Sequence, residues 1–136
     1  YDSYDYAGRD IANVAQLLYA PELTWSIGAE HISQVFGGEL ILTANYSFQD
    51  EVFTQTPWAI YDPATFPKIT IDDWESLDVS ATYLRDTENG TFKVILYGTD
   101  VLEDGNRVQR RYTTGSFTWA ELAPRQQFGV TVGYEF

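Results

Sequence analysis

Strict alternation over the last nine residues constrains the fold more than any other feature of this chain. Phe128, Val130, Val132, Tyr134 and Phe136 are apolar or aromatic, and Gly129, Thr131, Gly133 and Glu135 stand between them. Successive side chains on a strand point to opposite faces, so this stretch predicts a two-faced strand. The pattern recurs. Leu23, Trp25, Ile27 and Ala29 oppose Thr24, Ser26, Gly28 and Glu30. Leu40, Leu42, Ala44, Tyr46 and Phe48 oppose Ile41, Thr43, Asn45, Ser47 and Gln49. Leu77, Val79, Ala81 and Tyr83 oppose Asp78, Ser80 and Thr82. Phe92 to Val101 also reads as strand, but Val94-Ile95-Leu96-Tyr97 at its centre is apolar on both faces and leaves its facing open.

Turn chemistry joins these strands by alternately long and short links. Phe36-Gly37-Gly38-Glu39 is short, and so is Asp86-Thr87-Glu88-Asn89-Gly90, whose Asn-Gly pair suits a hairpin with φ > 0 positions. Ala7 to Pro21, Thr56 to Trp74 and Asp104 to Arg125 are long. In an antiparallel meander this order puts every long loop at one end and every short turn at the other. Ile11 to Tyr19 has Ile11, Val14, Leu17 and Leu18 at helical spacing but is short, and reads as loop or a single turn. Tyr1 to Tyr6 is a possible end of a further strand.

Periodicity does not decide which face is wet. A soluble barrel points its apolar residues inward, and an outer-membrane barrel points them at lipid. Three features favour lipid. The alternate set is small and polar, as in a solvated lumen. Aromatics gather near strand ends, at Trp25, Phe36, Tyr46, Phe48, Tyr83, Phe128, Tyr134 and Phe136, as in interfacial girdles. Short turns on one side and long loops on the other are the habit of such barrels. The nine residues from Phe128 run about 30 Å, or roughly 23 Å along the membrane normal when tilted by about 40°. Five or six strands make an open ribbon roughly 25–30 Å wide. Lipid does not tolerate its unpaired edges. The expected state is therefore an incomplete barrel wall that needs further strands. An eight-stranded outer-membrane barrel with a structural or enzymatic role, and a soluble ligand-binding β-barrel, stay open.

Composition narrows the function classes. Eight basic against 20 acidic residues give a net charge of −12, which argues against binding a nucleic-acid backbone. There is no Cys and one His, so thiolate metal sites, Cys nucleophiles and disulfides are excluded. The 22 aromatic residues argue against disorder. The chain opens at Tyr1 without a start Met or a signal-like segment, and is expected to be a processed form or a piece of something longer.

Several stretches carry a resemblance. Tyr4-Asp5-Tyr6, Asn13 and Tyr19-Ala20-Pro21-Glu22-Leu23-Thr24 resemble the lead-in to the late strands of TonB-dependent outer-membrane receptors. Asn45-Tyr46-Ser47-Phe48-Gln49-Asp50-Glu51-Val52-Phe53 resembles the rising strand that follows, and Leu77 to Tyr83, Asn89-Gly90 and Phe92 to Asp100 resemble the next hairpin. Pro124-Arg125-Gln126-Gln127 and the alternating run to Phe136 resemble the family's last strand, with its terminal Phe. Gly98-Thr99-Asp100-Val101-Leu102 departs from the family, which usually has an Asn-Leu pair there. The resemblance implies an all-β fold. Residues 1–136 would be the last five or six strands of a 22-stranded barrel in the outer membrane of a Gram-negative bacterium. It implies import of a scarce ligand: an iron chelate, cobalamin, nickel or a carbohydrate. The implied partners are the remaining barrel, a plug domain with its TonB box, the TonB complex, outer-membrane lipid and lipopolysaccharide. A C-terminal Phe there also resembles the signal read by the barrel-assembly machinery.

Candidate chemistry is sparse. No Ser-His-Asp order, phosphate-binding Gly loop or paired acids in a cleft can be drawn, so neither enzyme activity nor a cofactor is expected. His31 reads as an interface or solvated side chain. Asp50-Glu51 and Asp72-Asp73 with Glu75 read as an acidic rim; weak divalent binding would fall on Asp72, Asp73 and Glu75. Arg107, Arg110 and Arg111 form the one basic cluster, suited to acidic loops or to lipopolysaccharide phosphates. Loop aromatics contact a ligand or pack on one another. Trp58, Tyr61, Trp74, Arg110, Tyr112 and Trp119 are the candidate ligand contacts. Trp25, Tyr46, Phe48, Tyr83, Phe128, Tyr134 and Phe136 are the candidate membrane-interface aromatics.

Overall fold

The computed structural model describes residues 3, 5–6, 8–10, 12, 17–55, 69–102, 107–114 and 116–136. The chain is all-β and contains an antiparallel meander. Its strands are β1 (Asp5–Tyr6), β2 (Arg9–Asp10), β3 (Thr24–Val35), β4 (Gly38–Gln49), β5 (Val52–Phe53), β6 (Thr70–Ile71), β7 (Trp74–Thr87), β8 (Gly90–Thr99), β9 (Val108–Thr113), β10 (Thr118–Leu122) and β11 (Gln127–Glu135). They fall into two compact units.

One unit is a five-stranded sheet in the order β11-β8-β7-β4-β3, so β3 and β11 are its edges. The alternating runs are these five strands, each at or near its expected start. β3 and β7 run past the predicted ends, to Val35 and Thr87. The β3–β4 turn is Phe36-Gly37, with φ of 51° and 76°. Positive φ at both positions matches the twist of a two-residue hairpin. Phe36 is a bulky residue in the left-handed region, and the Tyr83 hydroxyl donates to its carbonyl at 3.1 Å. The β7–β8 turn is Glu88-Asn89. Positive φ falls at Gly90 rather than at Asn89, because Gly90 pairs with Thr87 as the first residue of β8.

Register settles the facing of β8. Phe128 pairs with Gly98, Val130 with Leu96, Val132 with Val94 and Tyr134 with Phe92. Across β7, Val79 pairs with Gly98, Ala81 with Leu96, Tyr83 with Val94 and Arg85 with Phe92. Val94 and Leu96 therefore lie on the apolar face, while Ile95 and Tyr97 lie with Thr82, Ser80, Thr131 and Gly129. On that polar face Thr43 Oγ1 and Ser80 Oγ are hydrogen-bonded at 2.8 Å, tying β4 to β7. Tyr97 fills the space above Gly129, where an added Cβ would meet its ring carbons.

The other unit comprises 1–23, 49–74 and 107–123. The long loops contain short strands; of these only the stretch Tyr112 to Leu122 is a place where the sequence leaves room for a further strand. β5 pairs with β6, and β9 pairs with β10 through a turn whose Thr114 amide donates to the Phe117 carbonyl at 2.8 Å. Its small core holds Val52, Ile69, Ile71 and Ala123. Arg111 Nη1 donates to the Thr70 carbonyl at 2.8 Å. Arg111→Ala removes a charge-assisted hydrogen bond and is expected to cost about 1.5–3 kcal/mol locally. Limited proteolysis within 107–123 should accelerate about ten-fold or more. An unchanged cleavage rate contradicts that role.

Of the possible strand end at Tyr1 to Tyr6, Asp5–Tyr6 is a strand, but one outside the main sheet. Asp5–Tyr6 pairs with Arg9–Asp10 in a separate two-stranded ladder and does not join the five-stranded sheet. Two residues give too few ladder bonds and too little apolar area to extend it. Most of Ile11 to Tyr19 lies outside the described residues; Leu18 forms an isolated parallel bridge with Phe53.

Candidate lipid-facing surface and loop cluster

Both faces of the five-stranded sheet are open, and one of them is apolar. Among the described residues every buried hydrophobic side chain belongs to the other unit, and the sheet has none. Instead Ile27 is 64 % exposed, Val130 65 % and Val132 64 %, with Leu42, Val79 and Leu96 also exposed. Such a surface far exceeds the scattered exposed side chains normal for a protein in water.

The seven girdle candidates share this face and divide between its two ends. Trp25 at the start of β3 lies 5.1 Å from the Tyr46 ring and 6.2 Å from the Phe48 ring, centroid to centroid. The Tyr46 hydroxyl donates to Glu75 at 2.5 Å. Phe128 begins β11 at the same, long-connection end. At the short-turn end, Tyr83 bonds to the Phe36 carbonyl and Tyr134 lies 6.3 Å from Phe136. Phe92, paired with Tyr134, joins this row and was not singled out from sequence. Six residues separate Phe128 from Tyr134, about 20 Å along the strand. Between the rows the face is mostly aliphatic, with Ile27, Leu42, Ala81, Val94, Leu96, Val130 and Val132, and His31 on β3 interrupts it. No helix among the described residues is long and apolar enough to cross a membrane, which says nothing of strands.

The loop candidates separate. Trp58 and Tyr61 lie outside the described residues. Trp74, expected in a loop, is the first residue of β7, and its ring carries the Arg107 guanidinium at 4.6 Å from the centroid. Tyr112 and Trp119, also expected in loop, lie on β9 and β10 and face each other in register. Arg110 and Glu121 are the next pair on the same face and form an ion pair at 3.5 Å. This hairpin gathers three of the six candidates on one exposed face, with Tyr112 54 % and Trp119 51 % exposed. Their alternation is hidden in sequence by Gln109-Arg110-Arg111, whose long polar stems occupy both faces of a short strand. The Asp104-Gly105-Asn106 segment lies outside the described residues.

A cavity of about 430 Å³ in the same unit is lined by Tyr19, Gln49, Val52, Ile71, Trp74 and Arg107, among others. That volume is in the range of small-molecule sites, and the lining mixes two aromatic rings, two carboxamides and a guanidinium. The Tyr19 hydroxyl is oriented by a bond to the Arg111 carbonyl at 3.3 Å. Asp72, Asp73 and Glu75 do not converge: among the described residues no three acids or histidines are grouped to hold a metal ion. His31 follows Trp25 and Ile27 on the apolar side of β3 and is exposed. No protein-family model, no curated protein and no solved structure matches this chain.

Proposed function

We propose that this chain is the closing part of the wall of a transmembrane β-barrel in a bacterial outer membrane, namely the C-terminal segment of a TonB-dependent receptor that imports a scarce ligand. The single observation carrying the membrane reading is the exposed apolar face. A sheet of five long strands with no buried hydrophobic side chain among the described residues is viable where lipid covers that face. The opposite face, rich in Thr, Ser, Gln and acidic side chains, suits a water-filled interior. The edges β3 and β11 suit union with further strands, since a lipid-embedded sheet has to close. The resemblance of the strand from Pro124 to Phe136 supports the receptor assignment. In this reading the chain supplies wall and loops, while the plug and its TonB box supply gating and energy coupling.

Fractionation of the parent protein tests this reading. It should sediment with outer membranes, migrate faster on gels unheated than boiled, and retain the C-terminal domain of TonB in pull-down. Recovery as a soluble monomer without detergent overturns the membrane reading. Membrane recovery without TonB capture overturns the receptor assignment.

A further inference from the structure

We propose that the short-turn end of the apolar face holds a docking site for the phosphate of an anionic phospholipid, built on Arg85 with the Tyr134 hydroxyl beside it. The inference rests on the membrane reading above and adds a lipid specificity to it.

Arg85 pairs with Phe92, which pairs in turn with Tyr134, so all three stand in one row across β7, β8 and β11 on the apolar face. Tyr83 and Thr87 flank Arg85 on the same side of β7. Among the described residues of this face Arg85 is the one Lys or Arg, and its side chain is exposed with no ion pair or hydrogen bond. The face's one acid, Glu75, is at the other end of β7 and already takes the Tyr46 hydroxyl. Asp86 points to the opposite face, where Thr91 Oγ1 donates to it at 2.8 Å. Glu88 stands in the adjoining turn without an ion pair to Arg85.

Arg85 stands two residues from the end of β7, at the level of the aromatic row, where its guanidinium reaches the interface and lipid phosphates are the anions within reach. The aromatic row of Tyr83, Phe92 and Tyr134 sets the depth at which that anion stands, since such rings favour the headgroup level. A phosphodiester there accepts two parallel N–H bonds from Arg85, a geometry that favours Arg over Lys. Tyr134 contributes a second donor. Its hydroxyl is 3.2 Å from Thr87 Oγ1, a contact it exchanges for a phosphate oxygen, while Thr87 keeps its own bond to the Gly90 carbonyl at 2.7 Å. With no carboxylate in the row, a headgroup of net negative charge is favoured over a zwitterionic one.

The test uses the parent protein in nanodiscs of phosphatidylcholine with or without phosphatidylglycerol, with bound lipid counted by native mass spectrometry. Arg85→Gln is expected to lower phosphatidylglycerol retention about five-fold. Arg85→Lys should fall between it and the wild type. Lys93→Gln, on the opposite face, should leave retention unchanged. Equal retention by wild type and Arg85→Gln, or equal loss in Lys93→Gln, overturns the proposal. So does displacement of the lipid by inorganic phosphate, which marks a plain anion site. Insertion without Arg85 dependence defeats this inference alone, whereas failure to enter the disc defeats it together with the membrane reading.

Discussion

Val130→Arg is expected to destabilise the folded protein in a bilayer by about 2–4 kcal/mol, the cost of a cation near the middle of the apolar band we propose to face lipid. Val130 lies between Phe128 and Tyr134, is 65 % exposed, and pairs with Leu96, itself half exposed. In water such a position tolerates Arg within about 0.5 kcal/mol. Thr131→Arg, one residue along on the polar face, is expected to stay within that margin in either solvent, because the pleat turns it away from lipid. The pair of variants therefore reads the facing of β11 directly. Urea titrations in lipid vesicles, following the fraction with folded gel mobility, give both values. Equal stabilities for the two variants refute the assignment of faces.

Gly90→Ala is expected to be the most damaging small substitution in the sheet, at least about 2 kcal/mol. Gly90 has φ of 152°, and an added Cβ would collide with the Glu135 carbonyl oxygen and stand 3.0 Å from the Phe136 Cα. Both obstacles are backbone, so relief requires β11 to part from the start of β8. Gly133→Ala is the matched control, since nothing lies within 4 Å of its added Cβ. The same titration should separate the two variants clearly, and indistinguishable midpoints would show that the terminal strand yields freely.

The five-stranded sheet was legible because alternation over nine or more residues has one simple reading. Facing was legible where one residue set was wholly polar, as in β11, and hidden in β8, where Ile95 and Tyr97 interrupt the polar face. Only pairing with Gly129 and Thr131 explains them. Tyr97 covers a glycine, and Ile95 stands beside Thr131 and Thr82. The ladders β5–β6 and β9–β10 cannot be delimited in the sequence, because two to six residues are too few to display a period. Their register is held instead by distant partners, such as the Thr70 carbonyl for Arg111. The candidate contacts were legible as residue types alone. That Tyr112, Trp119 and Arg110 share one hairpin face follows from a turn at Thr114–Phe117, whose bonds depend on Thr114 Oγ1 accepting from the Ser116 and Phe117 amides.

The unequal links also dictate the order in which the sheet can zip. β3 with β4 and β7 with β8 are joined by two-residue turns, so each pair closes locally, on the microsecond scale of hairpins. β4 meets β7 only after the whole 50–73 connection is looped, and β8 meets β11 only after 100–126 is. Loop-closure entropy grows slowly with length, but it has to be met before the ladder rewards it. The sheet thus assembles from two early hairpins and a late lone strand. Until that strand arrives, β8 is an open edge with an apolar side, the state most prone to capture by another chain. Strand β11 covers β8 and becomes the edge of the sheet in its place.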